Sequence, residues 1–452
     1  MLKEEGTSTD GSKSTRKITC YCTNAQSLVN KRTELEAIID DLHPDVIGIT
    51  ETWCNATIMD SEVTFENYAM FRIGKDSPTG RGGGVILYIH ESLSAVACQE
   101  MDNDFNTSVW CLIKLERQDN LLVGLCYRSP NSTEQNSQKL YDQLIYTTKV
   151  KNVTHLLIMG DFNYPEINWI QGTVGSGPNP AEARKFYDVT QDEYLVQHVA
   201  KPTRRRIGQK PSMLDLVLSR DEQMVSIINH LAPLGSSDHD GLHWEHETRS
   251  NFQEVNNNTK SYNYSKGDYN KIKSHFSEID WDDILHGTSC NNAWNIFKDE
   301  YKKTIEDHVP LRKKRSKKPP WLKSGVKRSI KKKHSMYQKY RKTLQYKDYA
   351  EYRKQSNNTK KRVRRAQVEY EKKIMKNFKK KPKAFYSYVS AKQKVKAGVS
   401  QLEDEKGELT KTDQETANNF FKSVFTNEPD GYVPTLPDRC PGIEKLCGRR
   451  LL

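Results

Sequence analysis

No stretch of this 452-residue chain approaches the ~18 consecutive apolar residues that a membrane-spanning helix needs. The segment from Met1 to Lys17 has no apolar core, which excludes a secretory signal. No CxxC pair occurs. Cys20 and Cys22 stand one residue apart, which is not zinc-ligand spacing. The nine cysteines are scattered and odd in number, and read as reduced thiols of an intracellular, soluble protein, nuclear or cytoplasmic. GxSxG, P-loop and HExxH patterns are missing, so a serine-hydrolase elbow, a Walker-type phosphate cradle and a zincin helix are excluded. No internal repeat is present. With 35% hydrophobic and 29% charged residues, the chain is long enough for two or three domains, and part of it is expected not to fold compactly.

Charge is what the chain has in quantity, and it is unevenly placed. Residues 1–250 carry 24 Lys and Arg against 34 Asp and Glu, whereas residues 311–390 carry 30 against 4. An acidic half is joined to a strongly basic segment, and the basic part points to nucleic acid. Composition then divides the chain. Residues 1–16 read as a disordered N-terminus and 17–246 as a mixed α/β domain. Residues 247–260 form an Asn-rich linker, 261–310 a small helical segment, 311–390 a basic helical region, and 391–452 a final segment with one further helix at Thr412 to Thr426.

Within 17–246, Ile18 to Cys22 is a short strand and Lys31 to Leu42 has helical spacing. Val46 to Thr50 and His155 to Met159 are the short apolar runs of buried strands. Val109 to Leu115 and Leu121 to Tyr127 form a hairpin pair, and Leu214 to Leu218 is a strand. Lys139 to Thr148 and Ala181 to Val189 are expected helices, and Gly80 to Gly84 is a turn.

Chemistry-bearing residues gather where these strands end. Glu51 follows Val46 to Thr50, at the rim where open α/β sheets bind ligands. Hard carboxylate oxygens there suit Mg²⁺, with Mn²⁺ as an alternative ion. Asp161 and Asn163 follow Leu156 to Gly160. Alternation puts both on one side of the strand end, with Phe162 turned into the core. Asp215 lies inside an apolar strand, where a carboxylate is costly without a partner; His239, in Gly235-Ser236-Ser237-Asp238-His239, is the natural one. Asn24 and Tyr127 complete the set, as a metal-side amide and a phosphate-facing hydroxyl. These are the parts of metal-assisted phosphodiester hydrolysis, with water positioned by Asp161 and charge stabilised by His239. The basic loop Lys201 to Lys210, carrying Arg204, Arg205 and Arg206, is a candidate for phosphate contacts.

The order of six segments resembles the endonuclease/exonuclease/phosphatase superfamily. They are Thr23-Asn24-Ala25-Gln26-Ser27-Leu28, Ile49-Thr50-Glu51-Thr52-Trp53, Tyr127-Arg128-Ser129-Pro130, Gly160-Asp161-Phe162-Asn163, Leu214-Asp215-Leu216-Val217 and Ser237-Asp238-His239. Within that superfamily they look most like the apurinic-type endonuclease domain of LINE-type (non-LTR) retrotransposons. The resemblance implies a four-layer α/β sandwich of the DNase I-like kind over residues 17–246, followed by the basic helical region. It implies metal-side roles for Asn24, Glu51 and Asp238, and catalytic or phosphate-binding roles for Tyr127, Asp161 and Asn163. It also implies a catalytic role for His239, oriented by Asp215. Asp240 departs from the pattern, since a neutral residue is more usual after the His, and it is expected to add negative charge near the phosphate. In such elements a reverse transcriptase follows the nuclease. Residues 391–452 resemble the stretch leading into it, yet no Tyr/Phe-x-Asp-Asp motif occurs, as in a copy truncated before the polymerase.

The resemblance implies a Mg²⁺-dependent DNA endonuclease that nicks a target site, with RNA as a second ligand class for 311–390 and no membrane partner. Two alternatives stay open at this stage. One is a phosphatase of the same superfamily acting on phosphoinositides or nucleotides. The other is a catalytically dead relic that only binds nucleic acid.

Overall fold

The computed structural model describes residues 17–74, 82–98, 101, 105–115, 119–150, 153–248, 262–311 and 319–393. The expectations for 1–16, Gly80 and Arg81, the linker from 249 to 260, Arg312 to Lys318 and residues 394–452, including the helix at Thr412 to Thr426, lie outside the described residues.

In chain order the first half contains β1 (Ile18–Asn24), α1 (Arg32–Leu42), β2 (Val46–Thr50), α2 (Asp60–Val63), β3 (Tyr68–Ile73), β4 (Val85–His90), β5 (Ala95–Ala97), β6 (Ser108–Lys114) and β7 (Asn120–Tyr127). Then come α3 (Glu134–Thr147), β8 (His155–Asp161), β9 (Ile167–Asn168), β10 (Thr173–Val174), α4 (Pro180–Asp192), β11 (Val196–Gln197), β12 (Asp215–Ser219), β13 (Asn229–Leu231) and β14 (Gly241–His246). The rest is helical: α5 (Tyr269–Glu278), α6 (Trp281–Leu285), α7 (Cys290–His308), α8 (Ser324–Thr343), α9 (Tyr346–Lys376) and α10 (Pro382–Gln393).

Two six-stranded mixed sheets carry the domain, ordered β13-β14-β1-β2-β4-β3 and β11-β12-β8-β7-β6-β5. Each has one parallel pair at its centre, β1 with β2 and β7 with β8, flanked by antiparallel neighbours. Their facing sides form one core that includes Cys22, Val46, Leu87, Leu125, Met159, Val217 and Trp244. The outer face of the first sheet packs on α1 through Leu35, Ile38 and Ile47. The outer face of the second packs on α3 and α4 through Leu140, Leu144, Phe186 and Ile158. Helix, sheet, sheet and helix make the four-layer α/β sandwich of the DNase I-like kind, followed by helices. Strands buried on both faces explain why β2 and β8 read as unbroken apolar runs. Each fully buried aliphatic side chain in them contributes about 1.5–3 kcal/mol.

Element bounds move only slightly from the sequence expectation. The helix expected over Lys139 to Thr148 begins earlier, at Glu134, because Thr133 caps it by accepting from the Asn136 amide. The 261–310 segment holds three helices, around an aromatic cluster of Phe276, Trp281, Phe297 and Tyr301. Strands β3, β5, β9, β10, β11, β13 and β14 are not among those expected from the sequence. Cys20, Cys22, Cys54, Cys111 and Cys126 are free, buried thiols whose ionisation burial pushes up.

Helices α8 and α9 form an antiparallel pair that packs on α1 and β13. Trp321, Leu322, Val326, Ile330 and Val363 close over Ala37, while Tyr337, Tyr340 and Tyr352 cover Ala232. The basic region therefore lies against the sandwich.

Gly160 shows how tightly the rim is built. Its φ is +146°, and a Cβ there would stand 1.9 Å from the Cys126 carbonyl oxygen. Gly160→Ala is expected to destabilise the chain by about 3 kcal/mol, a fall in Tm of roughly 10 °C. Calorimetry of the variant checks this, and an unchanged Tm would contradict the packing described.

Candidate active site

The carboxyl ends of the four parallel strands meet at one rim. Asn24 closes β1, Glu51 follows β2, Tyr127 closes β7 and Asp161 closes β8. Antiparallel neighbours begin at the same rim. Asp215 opens β12 opposite Asp161, and His239 lies two residues before β14. Strand direction, not sequence distance, brings these six residues together.

Their contacts run across the gap between the sheets. Asn24 Nδ2 donates to Asp161 Oδ2 at 2.8 Å, and Tyr127 Oη donates to Glu51 Oε1 at 3.2 Å. His239 Nδ1 meets Asp215 Oδ2 at 2.7 Å. One ligand atom from each of Asp161, Asp215 and His239 lies within 4.8 Å of the others, and all three residues are buried. Among the described residues, Asp161 Oδ1 and Asp215 Oδ1 are buried acceptors with no hydrogen-bond partner.

Electrostatics follow from this crowding. Burial alone would lower the His239 pKa, but the Asp215 and Asp161 carboxylates outweigh it and raise it to about 9. Asp161 is raised too, which for a carboxylate disfavours the charged form. Burial first, then Asp215 and Glu51, lift it to about 8 against the pull of His239 and the Asn24 amide. Tyr127 is pushed up by burial and by Glu51 and Asp161, so it stays a donor.

The loops that carry these groups hold several residues in the left-handed region. Gln26, Ser27, Glu51, Trp53 and Asn163 all have positive φ without being glycine. The first two loops are laced together by Ala25 N–H to Thr50 O and Ser27 N–H to Glu51 O, each 2.9 Å. Buried Lys31 donates to the carbonyls of Ala25 and Gln26. Burial, then nearby Lys360, lowers its pKa to about 8, against the opposing pull of Glu34.

Two expected residues face other partners. Asn163 donates its amide to the Arg128 carbonyl at 2.8 Å. Asp238 accepts from Gln26 Nε2 at 2.6 Å and pairs with Arg204 and Arg206, its Oδ1 standing 3.9 Å from His239 Nε2. Arg205 turns inward to Asp240 at 3.1 Å. The expectation that Asp240 adds charge near the phosphate is corrected here. Its side chain is fully buried and its charge is taken up by Arg205, His230, Tyr337 and Arg341.

Three residues that shape the site were not singled out in the sequence. Arg128 is buried, stacks 4.1 Å over the Tyr164 ring and reaches Ser137 and the Asn163 carbonyl. Its presence in Tyr127-Arg128-Ser129-Pro130 was the available signal. Thr203 Oγ1 accepts the amides of Leu214 and Asp215. Lys31 sits among ordinary helix-start residues and carried no signal.

The profile of a family described as endonuclease-reverse transcriptase matches residues 121–243. The chain is similar to the AP endonuclease LMAP from Leishmania major, at 15% identity over 52% of this chain and 88% of that one, with a TM-score of 0.44. It is similar to the endonuclease domain of TRAS1, a telomere-specific non-LTR retrotransposon, at 17% identity over 51% of this chain and 99% of that one, TM-score 0.39. Similarity to the APE2 catalytic domain of Xenopus laevis is at 13% identity over 52% of this chain and 94% of that one, TM-score 0.40. No curated protein matches the chain in sequence.

The His239 pKa makes a measurable statement. Because the folded value lies above the usual ~6.5 of an unfolded His, its contribution to stability is fully present below pH ~6.5 and is lost as pH rises through about 9. In metal-free protein, ¹⁵N NMR of the imidazole is expected to show His239 still protonated at pH 7.5, and Asp215→Asn to shift its titration down. A native titration at or below pH 6.5 would contradict the geometry.

Proposed function

We propose that the chain is a Mg²⁺-dependent endonuclease that hydrolyses phosphodiester bonds in DNA, of the kind that nicks a retrotransposon target site. The observation that carries this reading is the buried Asp161–Asp215–His239 cluster with its two unpartnered carboxylate oxygens. Orphaned carboxylate oxygens fit the coordinated waters of a hydrated divalent cation. The family profile over 121–243 agrees with it.

Glu51, Asn24 and Asp238 are the oxygen donors assigned to the cation; Asp238 would exchange half-exposed Arg206 for it. When bound, Mg²⁺ (or Mn²⁺) neutralises phosphate charge and stabilises the leaving oxygen. Everything else falls to the chain's own residues. Asp161, held by Asn24, orients the attacking water and takes its proton at a carboxylate oxygen, a task its raised pKa suits. His239, kept cationic by Asp215, stands where negative charge grows on phosphorus-bound oxygens. Tyr127 would have to turn its hydroxyl from Glu51 to donate to a phosphate oxygen. The Asn163 amide would have to leave the Arg128 carbonyl to do the same. The exposed Lys and Arg side chains of α9 supply salt-sensitive backbone contacts, whether the strand is DNA or RNA.

Nicking of supercoiled plasmid tests the assignment. Glu51→Ala and His239→Ala, each folded by circular dichroism, are expected to lose at least about 10²-fold in rate in Mg²⁺. Undiminished nicking by both variants would refute it.

A further inference from the structure

We propose that the α8–α9 hairpin is a working part of the site, and that Asp240 is the positioning residue through which α8 holds His239. The proposal rests on the nuclease reading given above and deepens it.

The segment that delivers Asp238 and His239 runs from His230 to Asp240, and the hairpin grips it repeatedly. Gln338 donates to the His230 carbonyl. The Ala232 amide donates to His334 Nδ1 at 3.1 Å. Lys333 Nζ donates to the Pro233 carbonyl at 2.6 Å and pairs with Glu34 of α1. Ser356 Oγ, on α9, donates to the Gly235 carbonyl at 3.3 Å. Backbone groups at four positions of an eleven-residue segment are thus satisfied by side chains roughly 100 residues further along the chain. A loop whose polar groups are buried needs such partners.

Asp240 is the end of this series. Its carboxylate accepts from Tyr337 Oη, lies 2.8 Å from His230 Nδ1 and 3.1 Å from Arg205 Nη1, and has Arg341 Nε at 3.7 Å. Tyr337 and Arg341 are one helical turn apart on the inner face of α8. A buried carboxylate is tolerated only with partners of this kind, and α8 supplies two of the four. Asp240 in turn fixes the site from two sides. Its amide donates to the Thr203 carbonyl at 2.7 Å, and the Thr203 hydroxyl accepts the Asp215 amide at 3.1 Å. The other side is the peptide bond to His239. Both members of the Asp215–His239 pair are therefore tied to the backbone of the residue whose carboxylate α8 holds. Loosening it would let the imidazole drift relative to Asp161, and a shift near 1 Å is enough to slow chemistry about 10²-fold.

The test uses the full chain. Tyr337→Phe removes one hydroxyl from a buried ring, and Asp240→Asn keeps the shape while removing the charge. Both are assayed by nicking kinetics on a duplex oligonucleotide in Mg²⁺, with the His239 imidazole followed by ¹⁵N NMR and Tm recorded. Expected are a fall in kcat of about 10- to 100-fold with KM within two-fold, and a shifted or broadened His239 resonance in both variants. A lower Tm with kcat and the His239 resonance unchanged would overturn the proposal, since the contacts would then only hold the fold. If the wild-type chain cuts no DNA, the nuclease reading fails. The positioning claim is then decided by the NMR arm alone: an unmoved His239 signal in both variants overturns it.

Discussion

Two parallel strand pairs, one in each sheet, run out at the same rim of the sandwich, and the site depends on that shared direction. It sets Asn24 against Asp161 and Tyr127 against Glu51 across the interface of the sheets. Antiparallel β12 and β14 then have no choice but to begin where those strands end, which brings Asp215 and His239 to the same place. Buried carboxylates repel one another and lose hydration, so this convergence is costly. The imidazolium of His239, the Asn24 amide and the Tyr127 hydroxyl offset part of the cost. The unpartnered oxygens of Asp161 and Asp215 are the part left over.

The strands that build the site were readable because they are buried on both faces and stop abruptly at a polar residue. Val46 to Thr50 before Glu51 is the clearest case, and His155 to Asp161 the second. Asp215 was readable for the opposite reason, as a charge inside an apolar run that called for a partner. Strand β14 was not, because His243, Glu245 and His246 make a buried strand look polar, although Leu242 and Trp244 fill the core between the sheets. Lys31 and Thr203 act through backbone carbonyls and amides, which leave no trace in the side-chain pattern.

The basic region was read by its charge, and charge hid its packing. Positions 326, 330, 333, 337 and 340 recur at helical spacing and form the buried face of α8. Three of them, Lys333, Tyr337 and Tyr340, end in polar atoms, which blurs the apolar stripe. Glu34, Asp40 and Asp240 of the acidic domain meet Lys333, Lys327 and Arg341 of the basic one. The charge asymmetry between the halves is thus partly spent on holding them together. What remains exposed on α9 is still strongly basic, so the face of the hairpin turned from the sandwich keeps its charge.

Incubation of the purified chain with supercoiled plasmid in Mg²⁺ or in EDTA tests the central claim most directly. The account predicts conversion to nicked circle in Mg²⁺ and none in EDTA. Plasmid left supercoiled in Mg²⁺, or nicked equally in EDTA, would contradict it.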